Sequence, residues 1–130
     1  MLQQRKKDYL QRLIEEFFKK LDQIVNREVV LDNSEKEVLI NECFGFFYEN
    51  LQAEKSDELK VLVEKISDND LLEQYAKLLM TEYDFFENTD QEGLLKSLSI
   101  IEYLESTDKT FSWERTVLKE DILRRLDDKS

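Results

Sequence analysis

The 130-residue chain has no histidine, no proline, two glycines and one cysteine. Each shortage removes a class of reading. Without histidine there is no Ser-His-Asp or Cys-His catalysis, no HExxH zinc site, no Glu-x-x-His di-iron pair and no His-x-Glu deaminase centre. Gly45 and Gly93 stand too far apart to build a phosphate-cradling loop. So little glycine, with no proline, also argues against a sheet, whose hairpins draw on those residues for their turns. Cys43 has no partner for an intrachain disulfide. No apolar run approaches the roughly 20 residues that cross a bilayer. The first residues, Met1-Leu2-Gln3-Gln4, carry no signal-peptide pattern. These absences set the expectation of a cytoplasmic protein with no membrane partner.

Leu, Glu, Lys and Gln dominate what is there, and all four favour helices. The expected fold is all-α: about six antiparallel helices in a single domain over residues 1–130. An N-terminal helix covers 1–27, helix pairs cover 34–67 and 68–107, and a capping helix covers 111–127. The stretch 71–126 carries the clearest spacing. Leu71, Leu72, Tyr75, Leu78, Leu79, Tyr83 and Phe86 form one helical stripe. Thr89 with Glu92 reads as a capping box for the next helix, which uses Leu94, Leu95, Leu98, Ile101 and Leu104. Val117, Leu118, Ile122, Leu123 and Leu126 then form the apolar side of the last.

Upstream, Tyr9, Leu10, Leu13, Ile14, Phe17 and Phe18 fall on one stripe of the first helix. Ser34 with Glu37 forms a second capping box, and Ser56 is the expected cap of a helix from Asp57. The helix between them is apolar nearly all round near Phe44–Tyr48, the pattern of a central buried helix. Gly45 in mid-helix costs about 1 kcal/mol against alanine, which predicts close approach of another backbone.

Charge is unevenly spread. Residues 1–30 carry +2, residues 31–110 carry −13, and residues 111–130 are neutral. An acidic middle repels phosphate backbones, so no nucleic-acid partner is expected. It favours a basic or amphipathic protein or peptide.

Advancing residues 44–66 by 35 places Tyr48 on Tyr83, Leu59 on Leu94, Val63 on Leu98 and Ile66 on Ile101. That period, with the Gly45-x-x-Tyr48 spacing, resembles the tetratricopeptide repeat, although the repeat's Trp-Leu-Gly start and closing proline are missing. The segments Asp8-Tyr9-Leu10-x-Arg12-Leu13-Ile14-Glu15 and Thr110-Phe111-Ser112-Trp113-Glu114-Arg115 are similar to the two ends of a family of small bacterial helical proteins. That resemblance implies a tetratricopeptide-like fold and no assigned activity.

No catalytic residue, cofactor or metal site is expected. The leading reading is a non-catalytic adaptor whose partner contacts are Phe46, Phe47, Tyr83, Phe85 and Trp113. Phe111 and Trp113 read first as a hydrophobic staple and second as an exposed anchor. A different-class alternative is an all-α Mg²⁺-dependent nucleotide pyrophosphohydrolase. Its carboxylates would be Glu102, Glu105 and Glu87, since i,i+3 spacing puts two on one helical face. A third reading is a structural homodimer through Tyr9, Leu13 and Phe17.

Overall fold

A computed structural model describes residues 4–26, 33–86 and 91–127. They form six helices: α1 Gln4–Asn26, α2 Asn33–Leu51, α3 Leu59–Lys65, α4 Asn69–Phe85, α5 Glu92–Thr107 and α6 Trp113–Asp127. There is no strand among the described residues. The all-α expectation holds. By their internal contacts the helices fall into two compact units, Met1–Asp68 and Asn69–Ser130.

In the N-terminal unit α1 packs on α2. Leu10, Ile14, Phe17 and Phe18 of α1 are buried, as are Ile40, Cys43, Phe44 and Phe47 of α2. The rings of Phe17 and Phe18 meet edge to face with centroids 5.3 Å apart. α2 is not buried all round. Tyr48 and Val38 are exposed, and Gly45 and Phe46 are half-exposed. Tyr9 likewise leaves the apolar stripe of α1 for solvent. Among the described residues a Cβ added at Gly45 would meet nothing within 4 Å, so no backbone of theirs approaches it. The same holds at Gly93.

α2 ends in a left-handed cap. Gln52 has φ 60, and its N–H donates to Tyr48 O at 2.8 Å. Helix α3 starts two residues later than Ser56 predicts. Its N-cap is Glu58, which makes no side-chain cap bond. Asp57 works elsewhere: its carboxylate accepts from the Glu54 N–H and from Lys65 Nζ, both at 2.9 Å. The 35-residue offset therefore aligns a helix of 7 residues with one of 16. Lys7 pairs with Asp68 at 2.8 Å, tying the end of this unit to α1.

In the C-terminal unit α4 packs most extensively on α5, α6 lies on α5, and α6 also touches α4. Leu71, Leu72, Tyr75, Leu78 and Leu79 of α4 are buried, together with Leu94, Ile100, Ile101 and Leu104 of α5. Small residues let the two backbones close up: Ala76 is buried, and the buried Ser97 Oγ donates to Ala76 O at 2.7 Å. The start of α5 has Gln91 as its N-cap with no side-chain cap bond, while Thr89 lies outside the described residues. α6 departs from its apolar pattern. Leu118 and Ile122 are buried, but Val117 and Leu123 are exposed and Arg115 goes inside in their place.

Candidate protein-interaction site

The turn from α5 into α6 is built by ion pairs. The Arg115 side chain is almost fully buried. Its Nε donates to Glu73 Oε1 of α4 at 2.8 Å, and its Nη2 donates to Asp108 Oδ2 at 3.0 Å. Asp108, the C-cap of α5, also accepts from the Thr110 N–H at 3.0 Å. Ser112 caps α6, its Oγ accepting from the Arg115 N–H at 3.1 Å. One guanidinium thus joins three helices through two carboxylates, and Asp108, Thr110, Ser112 and Arg115 of the turn are tied to it or to one another by hydrogen bonds.

Electrostatics agree with the geometry. The Thr110 N–H and then the Arg115 guanidinium hold the Asp108 carboxyl below its ordinary value. Burial works against the charge on Arg115, but its hydrogen bonds to Asp108 and Glu73 outweigh that and keep it firmly protonated.

The turn displays two aromatic rings. Phe111 is 76% exposed and Trp113 is 66% exposed. The staple expectation fails here, because neither ring packs back onto the preceding helix. With Arg115 directed inward, the residues on either side of it, Trp113 and Val117, are left on the outer side of α6. Val117 lies one helical turn beyond Trp113 and is exposed with it. Glu114, Glu120 and Arg124 line the same exposed side.

The other expected contact residues are placed differently. Phe47 is 0% exposed and belongs to the core of the N-terminal unit, so it offers a partner nothing. Phe46 is half-buried and borders an open depression on α2 with Val38, Gly45 and Glu49. Tyr83 and Phe85 are half-buried near the end of α4. The phenol oxygen of Tyr83 is itself buried and has no hydrogen-bond partner among the described residues. Its neighbour Asp84 holds Arg125 of α6 in a two-bond fork at 2.6 and 2.8 Å. Of the five, Trp113 alone is exposed. Sequence reasoning ranked the exposed-anchor reading of Phe111 second and missed Arg115, the buried residue beside the turn.

Of the carboxylates of the hydrolase alternative, Glu102 and Glu105 lie among the described residues. Glu105 accepts from Lys119 Nζ at 2.8 Å. The Lys119 ammonium is raised above its ordinary value by that bond and, more weakly, by the charge of Glu102. A lysine already sits where a cation would be drawn. Glu87 lies outside the described residues. Among the described residues no group of three or more His, Cys, Asp or Glu is arranged to hold a metal ion. Cys43 is buried, and desolvation pushes its thiol up to about 12. None of the described helices is long and apolar enough to cross a membrane.

No protein-family model, curated relative or solved structure matches this chain. The two resemblances read from its residues therefore gain no support from comparison, and the site rests on its own geometry.

Proposed function

We propose that this chain is a non-catalytic protein-binding module whose contact edge is Phe111, Trp113 and Val117. The observation that carries this reading is the exposure of two aromatic side chains, two residues apart, at a turn held by a buried ion-pair network. Trp is enriched among the residues that dominate binding energy, and a rigid turn presents it without an ordering cost at the moment of binding. The unit behind it is acidic, with fifteen Asp/Glu against eight Lys/Arg over residues 69–130. A suitable ligand is a peptide or helix with an aliphatic pocket for the rings and cationic flanks.

The test places a photo-crosslinking benzoylphenylalanine at position 111 and identifies what it captures in a lysate. The captured protein is then purified and titrated while the emission of Trp113, the sole tryptophan, is followed. Binding should shift that emission to the blue. Trp113→Ala should weaken affinity by about thirtyfold, the equivalent of about 2 kcal/mol at a hot spot. Val38→Ser, in the other unit, should leave it unchanged. Unaltered Trp113 emission together with unaltered affinity in Trp113→Ala would refute this edge.

A further inference from the structure

Helices α1 and α2 carry one pattern thirty positions apart. Leu10, Ile14 and Phe17 correspond to Ile40, Phe44 and Phe47, all buried. On the opposite side, the exposed row Arg5, Arg12, Lys19 of α1 corresponds to the exposed row Glu35, Glu42, Glu49 of α2. Each row repeats every seven residues, about 10.5 Å along a helix. The rows have equal pitch and opposite sign. Arg5, Arg12, Glu42 and Glu49 make no ion pair among the described residues.

Shape follows the charge. On α2 an open depression lies over Gly45, bordered by Val38, Asn41, Glu42, Phe46 and Glu49. Val38 is 58% exposed at its edge, and among the described residues no neighbouring element stands within 4 Å of where a Gly45 Cβ would be. On α1 the ring of Tyr9, also 58% exposed, rises between Arg5 and Arg12. A knob between two cations on one helix matches a hollow between two glutamates on the other.

We propose that the chain self-associates by seating the outer face of α1 on the outer face of α2 in a second copy. Tyr9 fills the hollow at Gly45 while Arg5 and Arg12 face Glu42 and Glu49. The direction of the helices is also set. Advancing about 100° per residue, Tyr9 lies about 50° to one side of its cation row and Gly45 about 50° to the other side of its glutamate row. Facing surfaces are mirrored, so the two coincide when the helices run parallel. Asp8, Glu15 and Glu16 flank the cation row, so a slip of less than a heptad would set them against the glutamates, and a slip of a whole heptad would carry Tyr9 from Gly45 to Val38.

Because α1 and α2 pack on each other by their buried faces, the two rows point away from one another. A copy that engages its cation row leaves its glutamate row for the next. Such a contact is head-to-tail and adds copies until a ring closes. Exposed ion pairs are individually weak, so burial of Tyr9 sets the strength and charge sets the register and salt dependence.

Sedimentation of the full chain over a wide concentration range tests this. Apparent mass should rise with concentration at low salt and fall toward the monomer as salt is added. Arg5→Glu/Arg12→Glu and Glu42→Lys/Glu49→Lys should each remain monomeric with unchanged helicity by circular dichroism. Mixed in equal amounts, these two variants should associate again, because each then supplies the charge the other's rows require. A wild-type chain that stays monomeric at every concentration would overturn the proposal. So would association that survives in both variants, or variants that fail to associate on mixing.

Discussion

Arg115 Nε donates to Glu73 Oε1 at 2.8 Å across 42 residues of chain, while its Nη2 reaches Asp108 only seven residues back. The guanidinium is buried, and both carboxylates are mostly shielded from water. Removing it strands two negative charges against α6. Arg115→Met fills much of the same volume without the charge, so its effect isolates the network. It should destabilise the C-terminal unit by about 3 kcal/mol, the size expected when one partner of a buried ion pair is lost. Chemical denaturation followed by circular dichroism measures this, and a loss below about 0.5 kcal/mol would show the network to be incidental.

Acid should act at the same place. The Asp108 carboxyl in the folded chain titrates below its unfolded value, which is near 3.9. A depressed folded value means that the stabilisation is fully present above about pH 4 and disappears as pH falls through the folded value. Arg115 keeps its charge throughout this range. Thermal melts between about pH 5 and pH 2.5 should therefore fall less steeply for Asp108→Asn than for the wild type. Equal slopes would place the acid-sensitive group elsewhere. Lys119 has the opposite sign: its folded value is raised, so its contribution holds below about pH 10.4 and fades only above that.

The network also marks the boundary of what periodicity reveals. The stripe of α4 was legible because Leu71, Leu72, Tyr75, Leu78 and Leu79 repeat at helical spacing and all are buried. The break between α3 and α4 was legible because the polar cap formers Ser67, Asp68, Asn69 and Asp70 cluster around it. Arg115 was not. Nothing local distinguishes an arginine that will meet Glu73 from one that will face water, since that contact exists only after three helices pack. Phe111 and Trp113 were legible only in part, since Trp113 stands among the expected contacts while both rings read first as a staple. An aromatic beside a turn reads as a staple until the inward place is seen to be taken by Arg115. On α1 and α2 the stripe was read too wide, because spacing marks a face without saying how much of it is covered. Tyr9, Val38 and Tyr48 sit on the uncovered margin.

Cys43 provides a probe of the N-terminal core. Its thiol is buried among apolar side chains and lifted to about 12 by desolvation, so almost no thiolate exists at neutral pH. Reaction with a thiol reagent should require opening of the unit. The native rate should be lower than that of the denatured chain by orders of magnitude and should follow the unfolding equilibrium as denaturant is added. A fast native reaction would mean that α2 exposes its inner face far more often than its packing implies.

Gln52 sits in the left-handed region that favours glycine, with φ 60. Such a conformation costs a side-chain-bearing residue about 1 kcal/mol. Gln52→Gly should recover most of that, partly offset by the greater freedom glycine has in the unfolded chain. A small rise in melting temperature, with the α2 cap intact, is the expected result. A fall would show that the glutamine side chain makes a contact that outweighs the backbone.

Gly45→Ala separates two consequences of one substitution. The position is mid-helix, and an added Cβ meets nothing within 4 Å, so the helix gains about 1 kcal/mol with no clash to offset it. That gain belongs to the monomer and should appear in denaturation at concentrations too low for association. The same methyl partly fills the hollow that receives Tyr9 of a second copy. Association should therefore weaken while the monomer becomes more stable, a divergence that general loosening of the fold cannot produce. Gly93→Ala is the control, since an added Cβ there also meets nothing but the residue lies far along the chain in α5. Stability that rises in both variants, with association reduced only in Gly45→Ala, would tie the missing side chain at position 45 to contact between copies. If association were untouched in Gly45→Ala, Tyr9 would have to seat elsewhere, and the matched rows of charge would lose the contact that sets their register.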